Sequence, residues 1–268
     1  MTIYWDEDFE GNLTDNWGVN QCFAGLGGQS SPFTNGCNPR IDSSQKHSGS
    51  NSVLCDYTGE IYDDGGAGAY GIFINRSFTA TQDLWVRFYW YTISPYGYYT
   101  GNGIAKIMIF GNPNRNWDLV LVNKWDNSFS FIIEDKINGL GQTLTSNQDG
   151  SDISHDVWHL VELNINAGSK GNSDGVVRLW VDNTLRLSYT NVPIVASGNP
   201  DPTTSSFMEI GCQAAGDYAL DGSDIGNTIN NGKRWIDNLA VGDEQIGPIG
   251  GGGSIVKQAR HHYAMMQS

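Results

Sequence analysis

Leu84 to Ile93 reads LWVRFYWYTI, and its alternation decides the fold. With a period of two, Val86, Phe88 and Trp90 fall on one face and Trp85, Arg87, Tyr89 and Tyr91 on the other. Ten residues rich in aromatic and β-branched side chains at that period make a strand with one fully apolar face. Similar short runs follow outward in both directions. Asn51 to Tyr57, Gly71 to Phe78, Ile104 to Phe110, Trp117 to Asn123 and Ser128 to Glu134 read as strands. So do Trp158 to Asn166, Val176 to Val181, Thr184 to Tyr189, Ser206 to Ala214 and Trp235 to Val241. Asp182-Asn183 between two of them is a two-residue hairpin turn. About a dozen short strands separated by Gly and Asn turns predict an antiparallel two-sheet sandwich.

Composition agrees. The chain has 268 residues with 34 Gly, 25 Asn and 22 Asp, against 7 Glu and 7 Lys. That excess feeds turns and strands and starves helices, so a helical bundle is excluded. A βαβ fold is excluded too, because no long apolar stretch of period 3.6 is present. No run of about 18 apolar residues predicts membrane insertion. Met1-Thr2-Ile3-Tyr4-Trp5 runs straight into Asp6-Glu7-Asp8, without the pattern of a signal peptide. The net charge of −14 repels phosphate backbones and argues against nucleic acid as a partner. All 29 acidic residues and 13 of the 15 Lys and Arg precede Gly250. The chain therefore divides into a sandwich domain, 1–249, and a Gly-linked basic tail, 250–268. Three Gly/Ser/Asn-rich stretches, Gln21 to Arg40, Ser197 to Ser205 and Gly216 to Gly232, are long loops of the kind that carry contacts. Cys22, Cys37, Cys55 and Cys212 lack metal-ligand spacing. Cys22 and Cys37 flank a loop that a disulfide would close, and four reduced thiols is the equal alternative.

Three segments resemble concanavalin A-like jelly rolls: DEDFEGNLTDNW (Asp6 to Trp17), KHSGSNSVLCDY (Lys46 to Tyr57) and RWIDNLAVGDEQIGP (Arg234 to Pro248). DVWHLVELNINAGSKGNSDGVVRLWVDNTLRLSY (Asp156 to Tyr189) resembles the paired strands of laminin G-like and polysaccharide-lyase-like members. The resemblance covers most of residues 3–248 and implies a jelly roll of two stacked, curved sheets, a fold that hosts lectins, lyases, glucanases and phage virion proteins alike. It also implies a structural Ca²⁺ tying the first strand to the last. The ligands would be Glu10, carbonyls of the turn from His47 to Ser50, and Asp237.

The glucanase pattern of this fold, E-x-D-x-x-E on one strand, is absent, which removes the carboxylate pair of a hydrolase. The alginate-lyase patterns R-S-E-L-R, Q-I-H and Y-x-K-x-G-x-Y-x-Q are absent as well. The nearest stretch to the middle one is AKIMIF, Ala105 to Phe110. An elimination needs a base and a neutraliser for the uronate carboxylate. Arg87, Tyr89, Lys106 and Lys124 are the set that could share one sheet face for that purpose. His155 and His159 bracket the start of a strand, and His159 reads as structural. Tyr96, Tyr98 and Tyr99 in a Gly-rich turn, with Trp117 and Trp125 at strand ends, are the aromatic candidates for stacking on sugar rings.

With the catalytic motifs missing, the sequence points first to a non-enzymatic surface subunit of a virion or other extracellular assembly. Its head would bind cell-surface glycans. Its tail, through Ile255, Val256, Arg260, Tyr263 and Met265, would dock on sister subunits or on capsid or tail proteins. A polysaccharide lyase or glycoside hydrolase of the same fold, or a free lectin-like module, are the alternatives.

Overall fold

The structure is a computed structural model that describes residues 2–13, 18–20, 39–56, 70–78, 83–94, 104–111, 117–124, 129–135, 140–144, 153–195, 206–214 and 233–249. It is all-β, with two antiparallel sheets. Its strands are β1 (Ile3–Glu7), β2 (Gly18–Asn20), β3 (Arg40–Asp42), β4 (Ser52–Asp56), β5 (Tyr70–Phe78), β6 (Asp83–Thr92), β7 (Ile104–Gly111) and β8 (Trp117–Lys124). They continue with β9 (Phe129–Asp135), β10 (Leu140–Leu144), β11 (His159–Asn166), β12 (Gly175–Val181), β13 (Thr184–Val192), β14 (Ser206–Ala214) and β15 (Lys233–Gly242). One sheet has the order β13-β12-β11-β6-β15-β4-β3, with β1 also on β15, and the other runs β10-β9-β8-β7-β14-β5-β2. On one side of β15, β4 pairs with Lys233 to Ile236 and β1 with Leu239 to Gly242, end to end.

Apolar inner faces hold the sheets together. Val86, Phe88 and Trp90 of β6, Val161 and Leu163 of β11, and Val177 and Leu179 of β12 meet Met108, Phe110, Leu119, Leu121, Phe129 and Phe131 of the other sheet. Rings cross between the layers: Trp90 against Phe129 at 6.4 Å and Phe131 against Tyr189 at 6.3 Å. The hairpin turn forms as expected, with Asp182 and Asn183 both at positive φ.

The outer face of the eight-stranded sheet departs from the expected half-solvated pattern. Arg87 is 3% exposed and Tyr89 5%. Two segments lie over them: the turn before β4 and a strap of residues 243–249 that follows β15. At one end Leu54, Tyr91 and Trp235 make a second small apolar cluster with Ile93 and Trp158. The alternation of β6 therefore separates two buried environments rather than a core from water.

Candidate functional site

A break in β15 creates the polar centre of this outer face. Its register with β6 shifts between Asp237 and Ala240, and Asn238 has φ +50°. Such a bulge turns backbone groups away from the ladder. The Asn238 carbonyl accepts from Arg87 Nε and Nη2, both at 3.3 Å, and Arg87 Nη1 reaches the Gly247 carbonyl of the strap. Glu162, opposite Arg87 on β11, is 1% exposed. Its carboxylate accepts from Gly247 N at 2.7 Å and Gln245 Nε2 at 3.2 Å. The Tyr89 hydroxyl accepts from Ile249 N at 3.1 Å, and burial raises its pKa. Two buried opposite charges on neighbouring strands thus hold the strap, and the strap supplies their hydrogen-bond partners.

The acidic residues singled out in the sequence converge on one turn. Phe9, at φ +57°, drops into the core and leaves Glu10 above residues 47–51. Glu10 Oε1 accepts from Ser50 N at 2.7 Å and Asn51 N at 2.9 Å. Gly49, at φ +65°, makes this approach possible: a Cβ there would lie 2.3 Å from Glu10 Oε1. From the other side Asp237 Oδ2 accepts from His47 N at 2.8 Å and Ser48 N at 3.2 Å. Burial, with the Glu10 charge adding to it, pushes the Asp237 carboxyl up to about 6. Two carboxylates facing one turn repel each other, and a divalent cation beside them would reverse that penalty. Among the described residues no group of three or more His, Cys, Asp or Glu gathers as a metal cluster. The turn presents N–H groups to Glu10 Oε1 and Asp237 Oδ2, so an oxygen-seeking cation rather than zinc would have to take carboxylate oxygens that these amides leave free.

His159 has the outline of a catalytic relay, with Ser154 Oγ 3.2 Å from Nε2 and Asp182 Oδ2 2.7 Å from Nδ1. The Ser154 carbonyl, however, also lies 2.9 Å from Nε2, so both ring nitrogens sit against oxygens that fix the local turn. Asp182 also accepts from Leu160 N. The ring clamps the hairpin turn to the start of β11, the structural role expected of it.

The four residues grouped as a lyase set do not share a face. Arg87 and Tyr89 lie on β6 in the eight-stranded sheet, under the strap. Lys106 and Lys124 lie on β7 and β8 in the seven-stranded sheet, where Lys106 pairs with Val122 and Lys124 with Ile104. The expectation failed because periodicity assigns faces within a strand but not the sheet to which the strand belongs. Trp117 begins β8. Tyr96, Tyr98, Tyr99 and Trp125 lie outside the described residues, as do Cys22, Cys37, the tail from Gly250, and the three long loops except Pro39 and Arg40. Glu162 and the strap were missed. The signal available was a lone Glu at an outer-face position of an otherwise uncharged strand, HLVELNIN, directly across from Arg87.

No family model matches the chain, and no curated protein does. Solved structures do. An endo-β-1,4-glucuronan lyase from the fungus Trichoderma reesei is 16% identical with a TM-score of 0.64, over 91% of this chain and 96% of that one. An alginate lyase from Aplysia kurodai is 12% identical with a TM-score of 0.60, over 90% and 99%. An endo-1,3-β-glucanase from Streptomyces sioyaensis is 16% identical with a TM-score of 0.53, over 90% and 95%. The shared fold is the concanavalin A-like jelly roll. The reading as a non-enzymatic virion subunit is corrected by these likenesses, since they run to carbohydrate-cleaving enzymes. Missing short motifs misled it, because at such identities a catalytic set need not keep its local spelling.

Proposed function

We propose that this chain is a polysaccharide lyase that cleaves an acidic polysaccharide by β-elimination. The observation that carries the proposal is the near end-to-end likeness to the glucuronan lyase, which leaves neither chain a large unmatched part. Elimination is favoured over hydrolysis because the two lyases match the chain at TM-scores of 0.64 and 0.60, against 0.53 for the glucanase. In the reaction a base removes the proton on C5, α to the uronate carboxylate, and the C4–oxygen bond breaks to leave a C4=C5 double bond, the departing oxygen taking up a proton to become a hydroxyl. A cation beside the carboxylate stabilises the charge that develops there. Lys106 and Lys124 are our candidates for that cation. They stand two register positions apart on neighbouring strands of the seven-stranded sheet, away from the strap. A structural Ca²⁺ held by Glu10, Asp237 and the His47 to Ser50 turn belongs to the same proposal, as a tie between the first strand and the last.

The test is incubation with glucuronan, alginate and laminarin, following ultraviolet absorbance of the unsaturated product alongside new reducing ends. Elimination on a uronate polymer is expected. Lys106→Ala and Lys124→Ala should each lower turnover by roughly 100-fold. Reducing ends without the ultraviolet signal would make the chain a hydrolase, and no turnover on any polymer overturns the proposal.

A further inference from the structure

The outer face of the eight-stranded sheet is not covered along its whole length. Beyond the strap, the β6–β11–β12–β13 registers set Trp85, Asn164, Arg178 and Ser188 in one row. The next row holds Arg87, Glu162 and Trp180. Trp85 and Trp180 stack at 5.2 Å with an interplanar angle of 26°, and both rings remain only half-buried. Leu185, paired with Trp180, is 49% exposed. Arg178 is placed by a relay: Nη1 donates to Asn164 Oδ1 at 3.4 Å, and Asn164, 4% exposed, donates through Nδ2 to Asp83 at 2.6 Å. Asp83 sits on the far side of Asn164 from Arg178, two strands away.

We infer that this face is an accessory binding site for an acidic polysaccharide. A sugar ring would lie against the tryptophan pair, and its carboxylate would meet Arg178. The inference rests on the reading of the substrate as a uronate polymer and adds a second site for it, on the opposite sheet from Lys106 and Lys124. Two observations carry it. Indole surface left half-open beside a held polar row is the combination that binds carbohydrate, with apolar sugar faces on the ring and polar groups at its rim. Charge supplies the second. A chain of net charge −14 repels a polyanion at long range, and at physiological salt that repulsion is screened beyond about 8 Å. Retention then depends on cations at contact distance, and Arg178 is one, placed beside the rings. Its planar fork matches a carboxylate.

The experiment is affinity electrophoresis of the full chain in native gels containing polyglucuronate, alginate or neutral laminarin. The two uronate polymers should retard it and laminarin should not. Trp180→Ala and Arg178→Gln should each weaken the affinity for uronate polymer by roughly tenfold, with the fold retained by circular dichroism at the temperature of the gel. Elimination on short oligosaccharides should stay as in the parent chain. Retardation of both variants equal to that of the parent overturns the inference, as does equal retardation by laminarin. A dimer in light scattering that Trp180→Ala dissolves also overturns it, because the face would then hold a second copy of the chain. Retardation lost in the variants while no polymer is ever cleaved upholds this site and defeats the lyase reading instead.

Discussion

Nδ1 of His47 is buried without a hydrogen-bond partner, and its ring lies 3.4 Å from that of Tyr89, nearly parallel. Burial, and then the Arg87 charge, hold its pKa below the ordinary 6.5. The unfolded chain therefore takes the proton first as pH falls. The stability contributed by neutral His47 is complete above pH 6.5 and declines below it. His47→Phe keeps a ring on Tyr89 and removes the titration, so denaturant midpoints of the variant should fall less between neutral and mildly acid pH than those of the parent. Asp237 and Glu10 make a second prediction at this scale. Adding a chelator should lower the melting temperature, and calcium should restore it, since a ligand at 100 times its Kd stabilises by about 2.7 kcal/mol. An unchanged melting curve with no metal by elemental analysis would remove the ion. Glu10 and Asp237 were legible because they sit in short segments that resemble those of other jelly rolls. Glu162 was not, because a buried glutamate differs from a solvated one only by what covers it, and the covering strap lies 80 residues further along the chain.

Among elements, β6 and β11 carry the buried charge pair. Glu162→Ala removes the acceptor for Gly247 N and Gln245 Nε2 and the carboxylate across from buried Arg87, and should cost about 1–3 kcal/mol in chemical denaturation. The double change Arg87→Met with Glu162→Leu should recover most of that loss, because an apolar pair needs no counter-charge. A double variant no more stable than the single one would show that the strap, and not the pair, sets the cost. At the β12–β13 turn, Asp182→Ala removes the partner of His159 Nδ1 and the acceptor for Leu160 N and should cost about 2 kcal/mol. The long strands were readable to within three residues, β13 running three past its expected end to Val192, since a sustained alternation over-determines a strand. β1, β2, β3 and β10 were missed. They are three to five residues long, and IYWDE, GVN and RID are too short or too polar for a period to show. Edge pairing, not their own pattern, makes them strands.

For the whole molecule, the strap carries the sandwich seven residues past its last described strand, to Ile249. The glycine run suggested that everything before Gly250 is one body, and the strap belongs to that body through Glu162, Arg87 and Tyr89. Ending the chain after Ile249 should leave the melting curve unchanged. Ending it after Gly242 should lower stability by roughly 3 kcal/mol or more, the worth of hydrogen bonds to two buried charges. Equal melting of the two truncations would mean that the strap is dispensable. The sheet order was not legible at all, because strand neighbours depend on which apolar faces meet and not on chain order. Its most unusual term is β15, the last strand, lying between β6 on one side and β4 with β1 on the other. During synthesis the first strands leave the ribosome long before the one that joins them. Among the described residues the sheet partner of the amino-terminal strand is β15, which follows it by about 230 residues of chain. The β13-β12-β11-β6 part can pair earlier, but β4, β3 and β1 can join it only through β15. A nascent chain stalled just short of Arg234 should remain open to protease and to chaperone, and closure should come as a single late event once Gly242 has cleared the exit tunnel.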